Sequence, residues 1–186
     1  MTRPNKERVE SASQTAGPYV HIGLAPTAAG FEIYEEAGRD IAGPNAEGER
    51  IRVEGVVWDG AGEPVRDALI EVWQPNAAGN YAPDGVEAGF RGWGRVICDF
   101  DTGEWAFETV RPGAKEGAPH LNLWIVARGI NVGLHTRMYF PDATEDPVLT
   151  QLGARAHTLL ATEQATGVYR FDIRLQGTQE TVFFDV

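Results

Sequence analysis

Residues 118–142 read APHLNLWIVARGINVGLHTRMYFPD: two apolar, β-rich runs, 121–127 and 132–140, joined by Arg128-Gly129-Ile130-Asn131. The pattern predicts a central β-hairpin. Asn122, Arg128 and His135 fall within or between these runs. A polar side chain in such surroundings must find a hydrogen bond or a ligand to offset its desolvation. The hairpin is therefore the first place to look for chemistry.

Working outward, Ile51-Arg52-Val53-Glu54-Gly55-Val56-Val57-Trp58 alternates as a half-buried strand, Asp59-Gly60-Ala61-Gly62-Glu63-Pro64-Val65 supplies a turn, and Ala68-Leu69-Ile70-Glu71-Val72-Trp73-Gln74 reads as the returning strand of a second hairpin. A loop rich in Gly, Asn, Pro and Asp follows over 75–94 and contains Tyr81; a loop that long in a compact domain usually serves function or interaction. Short strands are expected over 94–100 and 105–110. Downstream, DPVLTQLGARAHTLLAT at 146–162 has helical spacing that Gly153 weakens, and 167–175 and 180–186 read as closing strands. Toward the N-terminus, 11–23 reads as a loop entering an edge strand, with Gly17-Pro18 fixing the direction of Tyr19. Residues 24–49 leave room for one short helix at most, and 1–10 form a charged arm without periodicity. The expected fold is mainly β, an antiparallel or mixed β-sandwich with one short helix and long loops. It is divided into an N-terminal arm (1–10) and a single domain (11–186).

The 186 residues carry a net charge of -11, so a nucleic-acid surface, which needs a basic footprint, is excluded. An anion site must be built locally around Arg or Lys. The single cysteine, Cys98, rules out an internal disulfide framework and a Cys-rich metal site; on a predicted strand it reads as a core residue. No apolar run approaches the roughly 20 residues that span a bilayer, and the polar start MTRPNKERVE lacks the apolar stretch of a signal peptide. A cytoplasmic protein is expected, with no membrane partner.

No phosphate-cradling loop, serine elbow or zinc-binding H-E-x-x-H helix occurs. The run G-V-V-W-D-G-A-G-E-P-V-R-D-A-L-I-E-V-W-Q-P-N, from Gly55 to Asn76, is followed in order by G-N-Y ending at Tyr81, R-P-G at Arg111-Pro112-Gly113 and P-H-L-N ending at Asn122. Together these resemble the intradiol aromatic-ring dioxygenases over roughly residues 11–186. In that family two tyrosines and two histidines hold a ferric ion, the histidines as a His-x-His pair. Hard phenolate donors suit Fe(III), and alternation along a strand points residues i and i+2 at one metal.

The resemblance places Tyr81 at the first tyrosine and His120 at the first histidine. Lys115 stands where the second tyrosine belongs and Asn122 where the second histidine does. Gly117 falls where active members carry an arginine. A lysine facing the metal position and only two remaining ligands imply that this chain holds no catalytic iron. Tyr81 and His120 are then vestiges, expected to hydrogen-bond to one another. Such a degenerate site matches the alpha-type subunits of heteromeric family members, whose homologous beta-type subunits keep the Fe(III). The stretches S-Q-T-A-G-P-Y-V-H-I-G, ending at Gly23, and A-R-G-I-N, ending at Asn131, carry that likeness. It implies that Thr15, Gly17, Pro18, Tyr19 and Arg128 complete the substrate pocket of a beta-type partner in a larger hetero-oligomer. There protocatechuate (3,4-dihydroxybenzoate) is cleaved with O2 to 3-carboxy-cis,cis-muconate. By itself Arg128 would read as a solvated turn cation; the matched motif reverses that, because a guanidinium suits a carboxylate-bearing substrate. His135 is expected as a satisfied core or interface histidine, Arg137 as an ion-pair or interface residue, His157 on a helix surface and His21 near a subunit contact. Two rival readings remain: a non-enzymatic β-sandwich binding module, since the G-x-V-x-D-x-x-G-x-P-V pattern alone is not diagnostic, and a homomeric dioxygenase with a rearranged ligand set.

Overall fold

The computed structural model describes residues 15–17, 19–32, 41–82 and 89–185; the arm at 1–10 and Pro18 lie outside the described residues. In chain order the strands are β1 (Arg50–Trp58), β2 (Leu69–Trp73), β3 (Trp93–Ile97), β4 (Glu104–Val110), β5 (His120–Val126), β6 (Leu134–Tyr139), β7 (Thr162–Ala165), β8 (Val168–Arg170) and β9 (Ile173–Arg174). The helices α1 (Tyr19–Leu24) and α2 (Pro147–Leu152) lie outside the sheets, with short 3-10 turns at Pro26–Ala29 and Gly153–Leu159.

Two sheets form. One runs β4-β1-β8-β7 with β9 also on β1, and the other runs β3-β2-β5-β6. The first is mixed, since β1 pairs antiparallel with β4 and parallel with β8 and β9; the second is antiparallel throughout. Alternation turns Val53, Val57, Trp105, Phe107 and Ile173 of one sheet toward Ile70, Leu121, Leu123, Ile125 and Met138 of the other, in one continuous apolar core. Burial of this interior is the main force that holds the two layers together. Among the described residues no helix is long and apolar enough to cross a membrane.

The central hairpin forms as expected, with Leu121 opposite Met138 and Leu123 opposite Thr136. The second expected hairpin does not. Its strands, β1 and β2, lie in opposite sheets. The turn between them starts as a hairpin would, with Val65 N donating to Val57 O at 2.8 Å and a bridge between Trp58 and Pro64. Both edges of β1 are already occupied, by β4 on one side and by β8 and β9 on the other, and Pro64 has no N–H to extend a ladder. The chain therefore crosses the core and delivers Ile70 and Val72 to the facing layer.

Three further elements differ from the sequence pattern. The run after Gly17 is helix α1 and not an edge strand. Among the described residues no strand pairs with it, and its backbone bonds locally, as in Ala25 N to His21 O at 2.8 Å. The helix expected over 146–162 stops as an α-helix at Gly153, whose φ of 54° breaks it, continues as a 3-10 turn and gives way to β7. Near the C-terminus, among the described residues, an isolated bridge between His135 and Phe184 stands in place of the expected last strand.

Candidate functional site

The turn after β5 carries Arg128. Ile130 N closes it onto Ala127 O at 3.2 Å, and Gly129 supplies the positive φ of 85° that this turn requires. Thr15 clasps the turn: its Oγ1 accepts from Gly129 N at 2.7 Å and donates to Ala127 O at 3.4 Å. The N-terminal segment and Arg128, more than a hundred residues apart in sequence, are thereby joined. Gly17 O accepts from Val20 N at 3.1 Å and starts α1, on which Tyr19 stands 78% exposed and His21 only 8%. His21 Nε2 donates to Asp67 O at 3.1 Å, and its ring meets Phe100 edge-on at 5.2 Å. Arg128 Nε donates to Asp67 Oδ2 at 2.6 Å. His21, Asp67, Phe100 and Arg128, together with Asn131 and Val132, line an open cleft of about 1210 Å³, whereas Thr15, Gly17 and Tyr19 do not line it.

Of the five residues expected to line a substrate pocket, the structure thus puts Thr15 directly on the Arg128 turn. It ties Gly17 and Tyr19 to that turn through α1 and the His21–Asp67 contact. Pro18 lies outside the described residues. Asp67 and Phe100 were not visible in the sequence as members of this group. Asp67 reaches it only because β1 and β2 lie in different sheets, which no local pattern signals.

The former ligand positions gather at the other end of β5. His120 and Asn122 alternate onto the outer side of the sheet, while Leu121 and Leu123 are buried inward. The loops at 75–81 and 111–117 lie side by side: Gly113 N donates to Asn76 O at 2.9 Å, and a Cβ on Gly79 would sit 3.2 Å from Lys115 N. This brings Tyr81 and Lys115 into the same region. Tyr81 does not bond to His120. Its hydroxyl accepts from Asn122 Nδ2 at 3.2 Å, whereas His120 Nδ1 donates to Ala118 O at 2.9 Å. His120 and Asn122 share this face, but the His120 Nδ1–H is committed to the Ala118 carbonyl, whereas Asn122 offers a free amide donor to the phenol oxygen. Burial, helped by the nearby Arg137 charge, holds the His120 imidazole below its ordinary pKa, against the pull of the Ala118 carbonyl and of Asp146. That keeps it neutral near pH 7.

This donor set does not fit Fe(III). One phenol and one imidazole remain. The third position turns an amide N–H toward the phenol oxygen, Lys115 is cationic, and Arg137 Nη1 sits on Tyr139 Oη at 3.2 Å. A ferric centre needs several hard anionic donors in place of these cations. At Gly117 the fold opposes an arginine: φ is 66°, and a Cβ would lie 2.5 Å from Asp146 Oδ2, which would have to move. The two ends of β5 are therefore distinct, separated by a strand about 20 Å long at about 3.3 Å per residue.

The remaining polar residues take structural places. Arg137 bonds to Tyr139 and lies 5.7 Å over the Phe184 ring, with no ion pair among the described residues. The His135 ring packs against Trp124 at 6.4 Å on the outer sheet face and not in the core. His157 is exposed and bonds to Gln179. Cys98 is buried, and burial pushes its thiol up to about 12, which leaves it inert.

Residues 27–177 match the protein-family model described as Dioxygenase. The protocatechuate 3,4-dioxygenase alpha chain of Pseudomonas putida is 46% identical, over 95% of this chain and 96% of that one. The protocatechuate 3,4-dioxygenase beta chain of Burkholderia cepacia is 37% identical, over 72% of this chain and 67% of that one. Among solved structures, the dioxygenase domain of a dioxygenase carbohydrate-binding protein fusion from Streptomyces sp. SirexAA-E superposes with a TM-score of 0.60. It covers 89% of this chain and 99% of that domain at 23% identity, a likeness of fold.

Proposed function

The chain belongs to the intradiol dioxygenase family, and from that premise we propose that it is the iron-free, alpha-type subunit of a two-chain protocatechuate-cleaving enzyme. The ferric ion belongs to a homologous beta-type subunit, where it activates the catechol and O2 for ring opening between the two hydroxyl-bearing carbons. Both oxygen atoms enter the product, 3-carboxy-cis,cis-muconate. This chain contributes the wall of the pocket that recognises the substrate carboxylate.

One observation carries the reading. Thr15 clasps the Arg128 turn at one end of β5, while the residues at the other end lack the donors for iron. Arg128 uses only Nε within the chain among the described residues, so its terminal amino groups are available to a carboxylate. A guanidinium in a chain of net charge -11 gives an anionic substrate a local cation to bind. Tyr19, Phe100 and Val132 are apolar yet exposed, as expected of a surface covered by a second subunit. The alpha-beta pairs assemble into a higher hetero-oligomer that works in the cytoplasm.

The test compares the chain purified alone with the chain co-purified with a beta-type subunit. The lone chain should be colourless, iron-free and inactive; the complex should show the visible absorption of phenolate bound to ferric iron and turn over protocatechuate. A coloured, active lone chain would establish the homomeric enzyme instead, and absence of iron and activity from both would favour a binding module. In the complex, Arg128→Ala should raise KM for protocatechuate about tenfold or more, the value of a charge-assisted hydrogen bond, with iron content unchanged.

A further inference from the structure

The geometry points to Asp67 as the positioning residue of the pocket, one that aims Arg128 and anchors α1 at the same time. This rests on the reading that Arg128 faces the substrate carboxylate. Asp67 stands just before β2, in the segment that crosses between the sheets, and its two polar groups act in two directions. Its carboxylate accepts from Arg128 Nε at 2.6 Å. Its backbone carbonyl accepts from His21 Nε2 at 3.1 Å, and because a carbonyl can only accept, His21 must carry its proton on Nε2.

The two partners differ in how firmly they are held. His21 is buried and wedged against Phe100, so the carbonyl contact fixes α1, and with it Tyr19, to the base of β2. The Arg128 side chain is 69% exposed and that of Asp67 only 21%. An exposed arginine samples many rotamers, and immobilising it on binding would cost affinity. A carboxylate that grips Nε, and not the terminal amino groups, restricts the side chain while leaving its forked end free for a second carboxylate. The ion pair is of the exposed kind that adds little to stability. Its effect is therefore on recognition. Thr15, bound on both sides of the Arg128 Cα through Ala127 O and Gly129 N, fixes the backbone that Asp67 complements at the side chain.

The experiment uses the assembled two-chain enzyme and compares Asp67→Ala, Asp67→Asn, Arg128→Ala and the double variant Asp67→Ala with Arg128→Ala. Iron content and subunit stoichiometry should stay at parent values, because the His21 contact uses the backbone of residue 67. Asp67→Ala should raise KM for protocatechuate about tenfold with kcat within twofold, and Asp67→Asn, which keeps an acceptor without the charge, should fall between it and the parent. The double variant should be no worse than Arg128→Ala alone, since residues that act through one another are not additive. With catechol, which lacks the carboxylate, Asp67→Ala should leave KM unchanged. A KM within twofold of the parent for Asp67→Ala, additive losses in the double variant, or equal losses on catechol each overturn the proposal. If Arg128→Ala itself leaves KM unchanged, the reading of the pocket fails beneath it; an impaired Arg128→Ala beside a normal Asp67→Ala overturns the role of Asp67 alone.

Discussion

Replacing Asp146 by alanine should destabilise the protein by about 3 kcal/mol, a large loss for a single polar side chain. Asp146 is 4% exposed and joins three elements. Its Oδ1 accepts from Val148 N at 2.8 Å and Leu149 N at 3.2 Å, capping α2, and from the Tyr139 hydroxyl at 3.2 Å. Its Oδ2 accepts from Ala118 N at 3.0 Å. Loss of the cap costs about 1 kcal/mol. Ala118 N is then a buried donor without a partner, at about 1–3 kcal/mol; the Tyr139 hydroxyl loses the acceptor of its O–H, although its oxygen still accepts from Arg137. The sum corresponds to a fall in Tm of roughly 10 °C for a domain of this size. Urea unfolding at pH 7, followed by tryptophan fluorescence, measures it. The acid limb provides a second signature. Burial raises the Asp146 carboxyl, but the amides of Ala118, Leu149 and Val148 outweigh it and hold the group below its ordinary 3.8. A carboxyl depressed in the folded state stabilises the fold above its unfolded pKa, and that contribution disappears as pH falls through the folded value. The parent should therefore lose stability below about pH 4 by a contribution that Asp146→Asn lacks. A loss under about 1 kcal/mol for Asp146→Ala would refute the accounting, because it is less than the buried Ala118 donor alone should cost.

Two further outcomes follow from the same region. Gly117→Ala should cost about 2 kcal/mol, from its positive φ and from displacement of Asp146, and should cost less in the Asp146→Ala background; an unchanged unfolding midpoint would show that the backbone there is free to relax. Lys115→Tyr combined with Asn122→His restores two phenols and two imidazoles, and the variant should take up ferric iron with visible phenolate absorption. A colourless double variant would mean that something other than the donor set keeps iron out.

The parts of the fold that local pattern governs were legible. Alternation over 121–127 and 132–140 gave the β5–β6 hairpin with the correct inward residues, because one buried face is enough to set a register. Partner choice was not legible where it depends on other strands. Residues 51–58 and 68–74 have the spacing of a hairpin, and only the occupied edges of β1 send the second run to the opposite sheet. Helix α1 has six residues, too few for a periodicity to separate helix from strand. The site divides in the same way. Arg128 and Thr15 could be placed through motifs read in order. Asp67 and Phe100 could not, since their proximity to Arg128 is a consequence of the sheet-to-sheet crossing.

That division also explains how a chain can keep this fold without the ligands for iron. His120 and Asn122 point away from the interior, while their neighbours Leu121 and Leu123 fill it. Exchanging a ligand on the outer face removes a metal donor without creating a cavity or an unsatisfied core group, so stability does not oppose the change. At Gly117 the situation is reversed. Asp146 occupies the space a side chain would need, and its carboxylate ties Ala118, Tyr139 and α2 into one network beside the apolar cluster of Ala118, Tyr139, Leu159 and Val182. Restoring two ligands on β5 and its flanking loop is thus a surface change, whereas restoring the arginine must displace the buried Asp146 oxygen that accepts from Ala118 N. The chain should therefore regain metal binding far more readily than it regains turnover, and substrate recognition through Arg128, at the opposite end of β5, should be indifferent to both.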